Sequence, residues 1–219
     1  MNVPPPPPAS SPPPPPSYPP PGAAAPSGYP ATLTVDTPAK VANWRPLVHW
    51  LLAIPHLIIA SLLGYVAQIA AFFAWLIVLS TGKMPEGLAN FLAMSARYSI
   101  RSYAYAGFLH ETYPPFDFTT TAADPGGHPV RVDFVPALEN RNRLTVALRI
   151  IWAIPAMIVT AIIGIVAYIC WIIAFFAVLF TGKWPEGLRS WVLKALRASV
   201  RLNAYLFLLT DEYPPLSFD

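Results

Sequence analysis

A few residues in this chain have types and spacings that could do chemistry. Thr81-Gly82-Lys83, repeated as Thr181-Gly182-Lys183, carries the Gly-Lys pair of a phosphate loop. The upstream glycine of such a loop is missing, however, and each copy follows a long apolar stretch rather than a strand. His49 and His56 are seven residues apart and could share one helix face, but the residues 100 positions later are Arg149 and Ala156. With no carboxylate or third histidine beside them, the pair reads as packed or interfacial side chains rather than metal ligands. Glu86, Glu186, Glu111, Asp211 and Glu212 fall at expected helix ends, where capping and dipole roles are the default. Cys170 is the single cysteine, inside an apolar stretch, and reads as a small packing residue. Gln68, polar in a similar stretch, reads as a helix-contact residue. No nucleophile, base and orienting group converge, so the expectation is a protein that is not an enzyme and uses no cofactor or metal.

The basic residues carry a clearer pattern. Ser190, Lys194, Arg197 and Arg201 recur at i, i+4, i+7 and i+11, one face of a helix, while Leu188, Trp191, Val192, Ala195, Leu196 and Leu206 fill the other side. Asn90, Arg97 and Arg101 hold the same stripe 100 residues earlier. Such a helix fits a membrane interface, its arginines toward anionic headgroups. The competing reading is that these arginines snorkel or pair within the bundle. With Lys83 and Lys183, the candidate contacts for a lipid headgroup or other anion are Lys83, Arg97, Arg101, Lys183, Lys194, Arg197 and Arg201.

The elements that must position these residues come in duplicate. From Ala53 to Phe118 the chain returns at a constant offset of 100, with 28 identities in 66 positions and no gap. Upstream, Tyr29-Pro30 and His128-Pro129 correspond at an offset of 99. Such self-similarity defines the architecture before any local reading. Each copy opens with an alternating segment, Leu33-Thr34-Val35 or Val130-Arg131-Val132-Asp133-Phe134, the pattern of a half-buried strand, and two such strands could pair. An apolar stretch follows, Leu47 to Leu79 or Ile150 to Phe180, well beyond the roughly 20 residues that span a bilayer. A last helix starts at Pro-Glu-Gly-Leu and is expected to stop at Tyr-Pro-Pro.

The chain is 55% hydrophobic and 11% charged, with net charge +3, where a soluble domain has about 25% charged residues. Its mean hydropathy is +0.47. The small, dispersed excess of positive charge excludes a nucleic-acid footprint and reads as a topology signal. Basic residues lie before, between and after the two apolar stretches, and all three regions favour the cytoplasm. Each copy should then enter and return on one side, as a parallel repeat. One helix of this length would measure about 45 to 50 Å, too long for a core of about 30 Å without tilt. The stretch is therefore expected either to fold back near Gly64 or Gly164 as a hairpin, or to bend.

Residues 1–30 hold 15 of the 28 prolines and read as a disordered tail, able to reach about 90 Å and to meet a protein partner. They lack the apolar core of a signal peptide, which keeps the N-terminus in the cytoplasm. The expected organisation is a tail over 1–30 and membrane repeats over 31–118 and 119–219. The fold class is an all-α membrane protein with short strands before each repeat.

The Ala-Ile-Pro strings at 53 and 153, the Thr-Gly-Lys-x-Pro-Glu-Gly-Leu segments at 81 and 181, the Arg-x-x-x-Arg pairs and the ending Leu-Thr-Asp-Glu-Tyr-Pro-Pro at 209 to 215 resemble the bacterial membrane family catalogued as domain of unknown function 4389. The first copy departs from the pattern at Leu109-His110-Glu111-Thr112. The resemblance covers both repeats and implies a bacterial integral membrane protein; it implies no activity. With the two apolar stretches, the expected location is the bacterial inner membrane, as a multi-pass protein. Two functions fit: a structural or adaptor protein holding the inner leaflet, or a pseudo-symmetric transporter component with the four arginines facing an anion path.

Overall fold

The computed structural model describes residues 28–38 and 40–215. The proline-rich tail therefore lies outside the described residues, apart from its last three positions. The order of elements is β1 (Ala31–Val35), α1 (Arg45–Thr81), α2 (Glu86–Ala106), β2 (Val130–Phe134), α3 (Arg143–Ala147), α4 (Arg149–Thr181) and α5 (Glu186–Leu206). The described residues are mostly helical, with two tandem repeats, two long apolar helices and one two-stranded sheet among them.

Each long apolar segment is one uninterrupted helix, of 37 and 33 residues. Of the two alternatives, the reversal at Gly64 or Gly164 does not occur. A lone glycine costs a helix only about 1 kcal/mol, and no turn residue stands beside either one to reverse the chain. Both helices stop where Gly82 and Gly182 adopt left-handed backbone, φ +73° and +66°, and donate their N–H to the Val78 and Val178 carbonyls. Thr81 and Thr181 then accept the N–H of Lys83 and Lys183 through their hydroxyls. The Thr-Gly-Lys motif is thus a helix terminator.

Pro85 and Pro185 precede the first helical residue of α2 and α5, and Glu86 and Glu186 occupy the first turn, where the positive end of the dipole favours them. These helices end at Ala106 and Leu206, before the Tyr-Pro-Pro expected to stop them. The chain turns instead at Phe108 and Leu208, whose φ values of 47° and 61° end the helical path.

Within each repeat the second helix packs back along the first. His49 stacks on Tyr105, His56 bonds to Tyr98, and Ser95 bonds to the Leu63 carbonyl, so α2 runs antiparallel to α1. The buried seam of α1 includes Ala53, Ala60, Ala67 and Ala74, seven residues apart; that of α4 includes Ala153, Ala167 and Ala174. Small residues at this period let backbones approach closely. Cys170 lies in the α4 seam as the packing residue expected, whereas Gln68 faces outward on α1 and makes no buried helix contact.

The two repeats interlock about an approximate twofold axis. β1 and β2 pair antiparallel with Leu33 opposite Val132 at the centre, a register that maps onto itself when the strands exchange. Each strand packs on the helix of the other repeat, β1 on α5 and β2 on α2. The helix ends obey the same exchange: Val41 N–H donates to the Gly182 carbonyl at 2.9 Å, and Arg141 N–H to the Gly82 carbonyl at 3.1 Å. Reciprocal contacts of this kind are the mark of an isologous interface. They bring the start of each long helix to the end of the other, so α1 and α4 run in opposite directions. One sheet face, with Leu33, Val130, Val132 and Phe134, is buried in the core, while Thr32, Thr34 and Arg131 face out.

Candidate functional site

The duplicated arginines of α2 and α5 form the most developed polar feature. Their spacing of four places both on one helix face, and the twofold exchange sets that face against a strand of the opposite repeat. In the first copy the site is closed. Arg97 and Arg101 are 2% and 4% exposed and donate Nε to the Val132 and Val130 carbonyls, at 3.3 and 3.1 Å. Arg97 also reaches the carbonyls of Thr121, Ala122 and Ala123. Arg101 donates Nη2 to both oxygens of Asp124, and its Nη1 to Asp117 at 3.4 Å. Asp124 further accepts the N–H groups of Gly126 and Val132, both at 2.8 Å. Burial lowers the Arg97 guanidinium from its usual range, and the charge of Asp124 opposes that shift. The Asp117 carboxyl is held below the usual range by its hydrogen bond from Thr119, with the arginines adding to the effect.

These contacts correct the expectation that Arg97 and Arg101 meet lipid headgroups. The first copy follows the competing reading, pairing within the protein, because a strand and an acid-bearing loop cover the arginine face of α2. In the second copy the arginines remain near the surface. Arg197 and Arg201 are half-buried and line a cleft of about 330 Å³ together with Tyr29, Ala31, Thr32 and Leu33. Tyr29 donates its hydroxyl to the Arg201 carbonyl at 3.2 Å, and burial raises its pKa. Lys194 is half-buried, its ammonium 5.4 Å from the centre of the Trp191 ring. Lys83 and Lys183 are exposed at the ends of α1 and α4, Lys83 within 3.4 Å of Glu139. The structure therefore groups the four arginines into two unlike pairs and leaves the three lysines apart.

Other polar clusters join the repeats at the helix ends. Asp211 receives both Arg141 and Arg149, and Arg149 also bonds to the Tyr205 and Thr210 carbonyls. Burial would raise the Asp211 carboxyl, but the hydrogen bonds and charges of the two arginines outweigh it and hold it below the usual range. Asp211 thus anchors two buried guanidinium groups instead of capping a helix. Glu111 plays a looser version of this role, accepting Ala42 N–H at 2.9 Å with Arg45 at 3.6 Å. His49 and His56 are fully buried and packed against tyrosines, as expected of structural histidines. A second cleft, about 770 Å³, is bordered by His110, His128, Asp36, Glu111 and Arg131, charges of both signs that select no single class of ligand. Among the described residues no group of three or more His, Cys, Asp or Glu could hold a metal ion.

Sequence reasoning missed Asp124 and the Arg141/Arg149/Asp211 cluster. The signal available for Asp124 was its place in Asp-Pro-Gly-Gly, a turn that presents an acid close to an alternating strand.

The family model for the domain of unknown function DUF4389 matches residues 43–117 and again residues 143–217. No curated protein and no solved structure matches the chain. Each match starts just ahead of a long apolar helix and ends after the Tyr-Pro-Pro that follows the returning helix. The chain therefore belongs to the DUF4389 family and carries two tandem copies of its domain.

Proposed function

We propose that this protein is a structural or adaptor protein of the cell membrane whose two long helices lie within one leaflet instead of crossing the bilayer. The observation that carries this reading is the layering about the twofold axis. The polar sheet face lies on one side, α2 and α5 pack beneath it, and α1 and α4 pack on α2 and α5. Apart from their seams, the long helices present large apolar side chains outward: Leu51, Ile58 and Leu62 on α1 and Ile150, Ile162 and Ile165 on α4 are all more than half exposed. A continuous apolar surface of this kind is suited to lipid and not to water.

Two physical arguments favour the in-plane orientation. Crossing helices would put the sheet and the polar loop carrying Thr119, Thr120 and Asp124 beside the middle of α2, at bilayer mid-depth, where lipid-exposed irregular backbone is not tolerated. They would also put Lys83 and Lys183 on opposite faces, since α1 and α4 run in opposite directions. An axis along the membrane normal instead makes the copies parallel repeats, sets every basic region on the cytoplasmic side, and lets Lys83, Lys183 and Lys194 meet anionic headgroups. The proline-rich tail is then free to reach protein partners from the same side.

The test is labelling of single cysteines at Thr34, Gly64, Thr81, Gly164 and Thr181, with Cys170 replaced, in intact and opened cells. The in-plane reading expects Thr34, Thr81 and Thr181 to react only from the cytoplasm, and Gly64 and Gly164 not to react. Labelling of Thr81 and Thr181 from opposite sides would overturn it and establish two crossings. A wedge in one leaflet should also tubulate or fragment anionic vesicles at high loading; unchanged vesicles would count against a shaping role.

A further inference from the structure

Two histidines at the junction of the repeats bury three ring nitrogens that have no partner. His110 follows α2 and His128 leads into β2; they are 1% and 5% exposed, with ring centres 5.0 Å apart and planes at 86°. Among the described residues neither nitrogen of the His110 ring meets a group in hydrogen-bonding geometry, although the Thr112 backbone stands beside it, and His128 Nε2 meets none either. Buried polar atoms are nearly always satisfied, so three orphans in one contact call for a missing group. The corresponding places in the second copy show the contrast. They hold Thr210 and Tyr29, and both are bonded: the Tyr29 hydroxyl donates to the Arg201 and Glu212 carbonyls, and the Thr210 hydroxyl accepts the Glu212 N–H. Both histidines line the cleft of about 770 Å³, whose rim charges select no ligand but whose imidazole nitrogens do.

We propose that His110 and His128 bind one transition-metal ion of the kind that imidazole prefers, zinc or copper, with water completing its coordination on the cleft side. The spacing fits. With metal–nitrogen bonds of about 2.0–2.1 Å, two imidazoles on one tetrahedral ion have their ring centres about 5 Å apart. Edge-to-face packing alone would give the same spacing, but it would not leave the nitrogens orphaned. His128 is also held as a ligand should be. Its Nδ1 lies 3.2 Å from the Val130 carbonyl and 3.0 Å from the Val130 N–H, so either tautomer is served there. In the tautomer that donates to the carbonyl, Nε2 is a bare lone pair, the arrangement by which a backbone carbonyl orients a metal-binding histidine. Burial pushes both imidazoles below their usual range, His110 to about 3, so both are neutral near pH 7, as metal ligands must be. Asp36 and Glu111 border the same cleft and offset the added charge. Two protein donors make an exchangeable ion, and it ties the turn after α2 to the segment entering β2.

The test uses the untagged full chain, stripped of metal, in neutral detergent at neutral pH. Zn²⁺ and Cu²⁺ are titrated against the melting temperature, with Mg²⁺ and Ca²⁺, which prefer oxygen ligands, as controls. Saturable stabilisation is expected from Zn²⁺ or Cu²⁺ and not from the controls. His110→Gln and His128→Gln should each weaken binding by about tenfold or more, since even the loss of a partner behind a metal ligand costs about 10- to 100-fold. Stabilisation that survives both substitutions, an equal response to Mg²⁺, or no response to either zinc or copper would overturn the proposal. If the variants fail to fold, electron paramagnetic resonance of the Cu²⁺-loaded parent chain decides. Coupling to two imidazole nitrogens supports the site, and coupling to fewer overturns it. The site lies in the loops at the repeat junction and requires neither orientation of the long helices, so failure of the labelling test above would leave this result untouched.

Discussion

Arg101 and Asp124 form a buried ion pair in which one guanidinium nitrogen sits 2.9 and 3.0 Å from the two carboxylate oxygens. The partners come from opposite sides of the repeat boundary, the arginine from the end of one copy and the acid from the connector that opens the next. The pair thus joins the copies as well as neutralising a charge.

Removing Asp124 should be among the most damaging single changes in the chain. Asp124→Ala leaves Arg97 buried without a counter-charge, leaves Arg101 with Asp117 alone, and strips acceptors from the N–H groups of Gly126 and Val132. Breaking a buried pair from one side costs about 3–5 kcal/mol. Asp117, a quarter exposed, should cost under about 1 kcal/mol when replaced by alanine. Denaturant unfolding of both variants in detergent checks the ratio; equal losses would contradict the assignment of Asp124 as the principal partner.

The paired glycines give an internal control on backbone strain. Gly82 and Gly182 share left-handed geometry, so alanine at either place should cost about 1–2 kcal/mol from conformation alone. A methyl group at Gly182 would in addition lie 2.6 Å from the Asn43 side-chain oxygen and 3.1 Å from the Val41 carbonyl. At Gly82 its nearest neighbour is the Arg143 side chain at 3.5 Å, ordinary contact. Gly182→Ala should therefore melt below Gly82→Ala, and the reverse order would show that the Asn43 contact yields without cost.

How much of this was legible in the sequence follows from the range of the interactions involved. The strands, the starts of α2 and α5 and the duplication depend on neighbours in the chain, and alternation, Pro-Glu and the offset of 100 report them directly. The uninterrupted path through Gly64 was harder, because length against bilayer thickness suggested either a bend or a reversal, and the residues around the glycine cannot make the reversal. The pairing of Arg101 with Asp124 was illegible for a different reason. It depends on the strand exchange about the twofold axis, and no local pattern tells an arginine whether the strand covering it brings an acid. The alanines seven apart in α1 were visible in the sequence and mark the seam, although apolar composition all around the helix masks them.

Acid should weaken the fold through His110. Burial first, then the neighbouring His128 and His49, push its imidazole down to about 3, so the native state keeps it neutral. The unfolded chain binds a proton below about pH 6.5. A depressed native pKa means stability that is whole above pH 6.5 and is lost as pH falls toward 3, by up to about 1.4 kcal/mol per pH unit in that window. His110→Gln should flatten this part of the stability profile relative to the parent chain. An unchanged slope between pH 6 and 4 would show that other groups carry the acid response.

The helix seams should be sensitive to added volume while the outer faces are not. Ala67 and Ala174 have no exposed surface, each in the seam of its long helix. Leucine at either position inserts three carbons where backbones approach closely, and overpacking of this kind costs about 1–3 kcal/mol. Ile158 and Leu62 lie on the outer faces, 56% and 60% exposed, and touch little protein. Replacing both by alanine should leave the melting temperature in detergent nearly unchanged, because detergent covers the large and the small side chain alike. Glutamate at the same two places should also fold, but should shift the protein out of vesicles, since a charge facing hydrocarbon is costly. Vesicle flotation beside detergent melting separates the two effects. Seam variants that melt like the parent would mean that α1 and α4 pack loosely on α2 and α5. Outer-face glutamates that still float with vesicles would mean that these faces are not the ones lipid covers.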